Sequence, residues 1–509
     1  MLCRFLVPLP LLVALLVPSL GAEDRINHAG RILGDLPVVG SPIPFDSAEA
    51  DAVLSAMQIF PPDHPWNEDI SRLAVLANSD AMISKIRSDL LEDRRTLRAF
   101  YEMNWILAPE DQPLVPVDFF AYPQESDPGP YPIPSAMPIE GWPRVIDGLT
   151  LEEWQRDVLG AGGDRHAIVV QPSLGLVWEM YRTTRVGDSW RASNGALFDL
   201  NTNSQRPRLW TSADAAGLCL LAGLVRWDEC DRGQIEHALR LVVRRTRRAF
   251  VYPATHFASD ISSIETITPA MGQRLRLKAG FTIPAGWTRQ ERAVLVALKT
   301  YGALIADNGG FFSLSVAPDP RYPDGAFDHL RQVGVEQFEV VQSTGPDAGP
   351  RSPNPPTVNA GSDLVTTSAA ALSLSGSAGG GVADLVVHWK AYAGPGPVVF
   401  SSPDSLATAA RFVTPGSYTL LLSAQDGVHT PAYDAVGVKV VGSILIRARS
   451  GGTGIILEWS GGEPPYRVEY RSALEPSTWN LLTVTAQTAV TLSKSSQAAF
   501  YRVQSFSAE

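Results

Sequence analysis

Ser417-Tyr418-Thr419-Leu420-Leu421-Leu422-Ser423 decides how the carboxy-terminal part of this chain is read. Tyr418, Leu420 and Leu422 alternate with Ser417, Thr419 and Ser423, the period of a strand with one buried face. The surrounding residues, 357–442, carry few charges and many Ser, Thr, Val and Ala in short runs, which is the patterning and size of one β-sandwich module. Just upstream, 345–356 holds five prolines and little apolar content, so a linker is expected there and a boundary at 342–343.

Upstream of that linker, strands and helices are mixed. Residues 166–171 and 176–182 are apolar, β-prone runs separated by Pro172-Ser173-Leu174-Gly175, which reads as a hairpin. Further strands are expected at 196–200, 237–243, 249–252 and 274–279. Thr288-Arg289-Gln290-Glu291 is a capping box that opens a helix with Leu295, Leu298 and Tyr301 on one face and Gly302 as its stop. A second hairpin, 303–306 with 311–316, is expected around Asp307-Asn308-Gly309-Gly310. Earlier, Ser79 is placed as the cap of a helix bearing Ile83, Ile86 and Leu90, and the charged stretch 93–101 is also read as helical. Four prolines in 126–134 forbid helix and ladder pairing, so this segment is a strap that either lies flat or, with Tyr131 exposed, walls a groove.

With 509 residues, the chain is too long for one core. The expected fold class is multidomain: a β-rich α+β main domain at 23–342 followed by all-β immunoglobulin-like sandwiches at 357–442 and 443–509. Residues 1–22 have the layout of a secretory signal peptide, with Arg4, an apolar run interrupted by Pro8, Pro10 and Pro18, and small residues at Gly21 and Ala22. The run is too short to span a bilayer, and no later run approaches spanning length. Cleavage near Ala22 removes Arg4 and leaves 41 basic against 53 acidic residues, a net charge of −12. Nucleic acid is thereby excluded as a bulk partner, since phosphate binding needs a basic footprint. Cys219 and Cys230 remain, either as a local disulfide suited to an oxidising compartment or as two buried free thiols.

Several motifs carry family likenesses. Val358-Asn359-Ala360-Gly361-Ser362-Asp363, Trp389, Gly416-Ser417-Tyr418-Thr419-Leu420 and Ala424-Gln425-Asp426-Gly427 resemble a bacterial PKD-type immunoglobulin-like domain. Leu457-Glu458-Trp459, Tyr466-Arg467-Val468-Glu469-Tyr470, Trp479 and Phe500-Tyr501-Arg502-Val503 resemble a fibronectin type III module more loosely. Such resemblances imply spacer, adhesion or glycan-binding roles on exported proteins. Pro65-Trp66-Asn67, Asp164-Arg165-His166, the stretch from Trp210 to Leu218, Ile235-Glu236-His237-Ala238-Leu239-Arg240 and Met271-Gly272-Gln273-Arg274 resemble a widespread group of exported bacterial proteins, which implies a domain over about 60–341 and no particular reaction.

No phosphate-cradling loop, nucleophile elbow, His-Glu-x-x-His or paired Cys-x-x-Cys is present, so chemistry must come from residues distant in sequence. His166, Glu179, His237 and His256 lie on or beside expected strands, and an imidazole–carboxylate set such as His166, Glu179 and His237 suits zinc or a similar metal, though without ligand spacing each is equally a structural residue. Glu179, Asp199, Asp214 and Glu229 sit in apolar surroundings and offer carboxylate pairs for glycoside hydrolysis, with Asp214 equally readable as a first-turn charge of a helix capped by Thr211 or Ser212. Arg240, Arg244, Arg245, Arg247 and Arg248 form a basic patch suited to an acidic glycan, with Trp227 or Tyr252 as an aromatic face, or else a solvated turn. No cofactor is specified by any of these.

The functional reading is an exported, secreted or surface protein that binds or acts on extracellular polysaccharide, possible acidic polymers included. The alternatives are a non-catalytic adhesion or structural protein and a metal- or carboxylate-dependent glycan-degrading enzyme. An enzyme requires two or more of the catalytic candidates Glu179, Asp199, His237 and His256 to converge in a cleft, whereas a binding protein leaves them dispersed. For the leader, fractionation of the producing cell is expected to place a product cut near Ala22 outside the cytoplasm, and intact chain dissolved in cytosol is the outcome that defeats it.

Overall fold

A computed structural model describes residues 25–143, 148–345, 349, 353–368, 370–452, 454–472, 478–493 and 500–505. The expected signal peptide lies outside the described residues. The fold is multidomain and β-rich, with immunoglobulin-like modules after the main body.

Two sheets organise the body. The larger has six strands in the order Phe338–Val340, Arg274–Leu277, Ala303–Asn308, Leu239–Val243, Phe312–Val316 and Leu97–Tyr101. The other runs Asn194–Asp199, Leu176–Tyr181, Ala167–Gln171, Ile106–Leu107 and Ile43–Pro44. Both bury apolar faces: Leu239, Leu241 and Val243 are fully enclosed on one, Ile168, Val170 and Val177 on the other, within a single apolar cluster. A second cluster around Tyr131, Trp154 and Trp190 lies on the opposite side of the smaller sheet. The proline-rich strap lies flat against it, with Tyr131 fully buried and its hydroxyl donating to the Asp127 carbonyl at 3.0 Å. Gly195 is required there, since a Cβ at that position would fall 2.4 Å from the Phe119 ring and from the Tyr131 hydroxyl.

The hairpin Ala167–Gln171/Leu176–Tyr181 pairs antiparallel as expected, and the capping box is complete, with Thr288 and Glu291 exchanging side-chain bonds to each other's backbone at the start of Arg289–Thr300. Other expectations are corrected. Residues 303–316 make no hairpin, because Leu239–Val243 lies between the two strands, parallel to Ala303–Asn308 and antiparallel to Phe312–Val316. The stretch 93–101 is not a helix: after a short turn at Glu92–Arg94, Leu97–Tyr101 pairs with Phe312–Val316 as the sheet edge. Residues 249–252 contribute only an isolated bridge from Phe250 to Met271. Ser79 is the first residue of its helix and not its cap, its Oγ accepting instead from the Val340 amide at 2.8 Å.

Further along the chain, strands Leu364–Thr367, Ala432–Val441, Gly416–Gln425 and Val386–Ala393 face a second sheet of Ala371–Ser375, Ala407–Phe412 and Val398–Phe400. Trp389, Leu420 and Leu422 fill the space between, and the Tyr418 hydroxyl donates to the Thr414 carbonyl at 2.7 Å, closing a corner common in such sandwiches. The last module sets two three-stranded sheets around Trp459, Tyr466 and Val468. The first described segment of the body meets the middle module directly: the Ile32 amide donates to the Tyr392 hydroxyl at 3.1 Å, and Gly30 approaches the Tyr433 ring so closely that a Cβ would lie 2.8 Å from it.

Cys219 and Cys230 are free and buried, so the disulfide alternative is corrected. Cys219 contacts Glu179 at 3.3 Å while Cys230 faces Tyr322, and burial pushes both thiols above their usual range. Alkylation without reductant is expected to leave both untouched in native protein and to label both in denaturant, as read by peptide mass spectrometry; absence of label in denaturant would restore the disulfide.

Candidate functional site

The cleft opens where the larger sheet's inner strands end. Its two connected parts, with about 750 and 500 Å³ of space open to solvent, share Asp164, His166, Asp307 and Asn308. Its floor is set by Arg240, which is 2% exposed on the strand Leu239–Val243. Arg240 donates to Asp214 at 2.9 Å, to Asp307 at 3.0 Å and to Ser315 at 2.8 Å. Burial pushes Asp214 up to about 6, with the guanidinium opposing a larger rise, and its Oδ2 has no hydrogen-bond partner. Burial likewise raises Asp307. Gly217, at a φ of +74°, lets this loop close, because a Cβ would collide with Thr255 Oγ1.

On one wall His166 is clamped, Nδ1 to Glu140 at 2.7 Å and Nε2 to the Ala213 carbonyl at 3.0 Å. Burial alone would lower its pKa, but the Glu140 charge and hydrogen bond outweigh it and hold the imidazole at about 9. Burial works against Glu140 too, and the imidazolium overrides it, keeping that carboxyl below its ordinary value. His256 differs: its Nδ1 faces the Ala215 carbonyl at 2.8 Å, while its ring lines the cleft. Tyr181 donates to Asp164 at 3.3 Å, and Phe100 and Phe311 pack edge to face at 5.1 Å along the other part of the cleft.

Of the four catalytic candidates, only His256 lines this cleft. Glu179 is fully buried, accepting from the Leu220 and Leu221 amides at 3.0 and 3.1 Å as the anchor of the short helix Leu220–Gly223; burial lifts it to about 7. Asp199 sits at an exposed turn, accepting from the Asn201 amide. His237 pairs with Glu229 at 3.0 Å in a separate pocket and faces the Ala238 carbonyl through its other nitrogen. The metal set His166, Glu179 and His237 is therefore not assembled: both histidines point both ring nitrogens at acceptors, and Glu179 is committed to a helix start. Among the described residues no group of three or more His, Cys, Asp or Glu is arranged around a metal position.

Two further assignments change. Asp214 heads no helix, since its loop is irregular until Leu220, and it serves instead as the partner of Arg240. Arg240 for that reason does not belong to the basic patch. Arg244, Arg245 and Arg248 remain exposed, Arg248 over the Phe257 ring at 5.3 Å, while Arg247 is half-buried and tied to the Thr268 carbonyl. Sequence reasoning missed Glu102, Glu140, Asp164 and Asp307. A signal for the last existed in Asp307-Asn308-Gly309-Gly310, read above only as a turn.

No protein-family model matches the chain, and no curated protein matches it. Among solved structures, the PKD domain from KIAA 1837 protein aligns at 21% identity over 19% of this chain and 92% of its own, with a TM-score of 0.15. The PKD domain from human KIAA0319 aligns at 19% identity over 22% of this chain and 99% of its own, at 0.16. A nucleoside hydrolase-related hypothetical protein from Saccharophagus degradans, associated with carbohydrate metabolism, aligns at 15% identity over 34% of this chain and 41% of its own, at 0.16. Such scores carry no argument for ligand or activity. Among the described residues no helix is long and apolar enough to cross a membrane.

The His166–Glu140 pair sets a pH window. His166, raised above its ordinary 6.5, contributes fully below that value and loses its contribution as pH climbs through about 9, whereas the Glu140 share is lost as pH falls below the ordinary carboxylate range. Melting temperature is expected to fall between pH 6.5 and 9 by the equivalent of on the order of 3 kcal/mol, and His166→Gln is expected to flatten that slope; an unchanged slope would show that the pair is not ionised.

Proposed function

We propose that this is an exported, surface-associated protein that holds polysaccharide in the cleft of its main body, with the trailing sandwich modules as spacers. What carries the reading is the cleft's lining: Tyr122, Asp164, Tyr181, Asn194, Thr211, His256 and Asn308 surround one space with donors and acceptors, and two aromatic rings flank its second part. Sugars present hydroxyls around the ring edge and an apolar face, which is what this mixture of groups complements. Dispersal of Glu179, Asp199 and His237 into separate structural roles favours binding over chemistry by those residues.

Charge narrows the polymer. Asp164, Asp307 and Glu140 outnumber His166 and Arg240 around the cleft, so a uronate there meets repulsion while a neutral or amino-bearing sugar does not. A second surface suits anionic polymer, because Arg244, Arg245 and Arg248 are all exposed within five positions of an otherwise acidic protein.

A glycan array on the full chain separates the two surfaces. Tyr122, 45% exposed at the rim, is expected on replacement by Ala to weaken neutral-glycan binding about tenfold, the effect of removing one well-placed aromatic contact. Replacing Arg244, Arg245 and Arg248 by Ser is expected to remove anionic-glycan binding alone. No glycan retained by the wild-type chain overturns the proposal.

A further inference from the structure

We propose that polysaccharide held in the cleft is also hydrolysed there, with Glu102 protonating the glycosidic oxygen and Glu140 accepting the proton of the attacking water. The inference rests on the binding reading above and adds a reaction to it.

Glu102 and Glu140 come from distant segments but are brought side by side. Glu102 follows the edge strand Leu97–Tyr101, its amide bonded to the Val316 carbonyl, and its own carbonyl accepts from the Gly141 amide at 3.2 Å, so the segment carrying Glu140 lies directly against it. Both side chains line the same part of the cleft, and both keep some solvent contact, 29% for Glu102 and 17% for Glu140.

Their surroundings divide the labour. Glu102 accepts one bond from the Ser315 hydroxyl at 2.6 Å through Oε1, with Arg240 only at 4.0 Å. Burial raises it above its ordinary value, with the Arg240 charge and the Ser315 bond opposing the rise and the Glu140 charge adding to it, so it holds its proton longer than an exposed carboxyl. Glu140 binds His166 through Oε2, by both the ring and the backbone amide, which leaves Oε1 to the cleft. The imidazolium keeps it ionised. Two carboxyl groups in one cleft, one biased to the acid and the other to the base, are what glycoside hydrolysis requires.

The step balances without a further reagent. As the bond between the anomeric carbon and the glycosidic oxygen breaks, the Glu102 proton passes to that oxygen. The water oxygen bonds to the anomeric carbon and yields a proton to Glu140 Oε1. One polymer and one water become two shorter saccharides, and solvent returns the proton from Glu140 to Glu102. Phe100 and Phe311, packed beside the pair, offer apolar surface for a ring face.

The test uses the full chain on neutral polysaccharides that bind it, with new reducing ends as readout, and on dinitrophenyl glycosides of the same sugars. Glu102→Gln is expected to lower polysaccharide hydrolysis at least 100-fold while retaining most activity on the dinitrophenyl substrate, whose leaving group needs no proton. Glu140→Gln is expected to lose both. Glycan affinity close to wild type in each variant checks that the cleft is intact. Wild-type protein that binds a glycan and releases no reducing ends overturns the hydrolysis but leaves the binding reading, whereas failure to bind any glycan removes both. Equal losses on the two substrates for Glu102→Gln overturn its role as proton donor.

Discussion

One buried guanidinium organises the main body. Arg240 reaches the 211–219 loop through Asp214, the end of the neighbouring parallel strand through Asp307, and the antiparallel neighbour through Ser315. Four chain segments are thereby fixed around one charge, and both carboxylates would be left uncompensated if it were lost, a loss that typically costs about 3–5 kcal/mol. Two parts of the cleft follow from this: Asp307 and Asn308 are held at the strand end, and the loop through Asp214 and Ala215 presents the carbonyl that faces His256.

The cleft is a case of similar side chains given different tasks by their partners. His166, His237 and His256 looked alike in sequence, but two have both ring nitrogens occupied and one does not. The carboxylates divide in the same manner. Glu179 is spent on a helix start, Glu229 on Arg226 and His237, and those left facing open space are Asp164, Asp307, Glu102 and Glu140. An acidic protein has many carboxyl groups, and their reach into solvent, not their number, selects among them.

Local patterning was legible. The alternation at 417–423, the hairpin at 167–181 and the capping box at Thr288 each rest on neighbours in sequence, and each is present. What escaped depends on strand order. The apparent hairpin around Asp307-Asn308-Gly309-Gly310 is split by a strand about sixty residues earlier, which no local signal announces. That misreading hid the cleft as well, because a tight turn would have closed Asp307 and Asn308 over a ladder. The charged 93–101 stretch failed for a related reason: its alternation of Leu97, Ala99 and Tyr101 is a strand period, overshadowed by the charges before it.

The contact of Gly30 and Ile32 with Tyr433 and Tyr392 bears on how the molecule is completed during synthesis. Ribosomal growth delivers the amino end first, yet the surface that receives it emerges some 360 residues later. The opening segment must therefore wait, unclasped, until the middle module has folded and offers Tyr392 and Tyr433 to it.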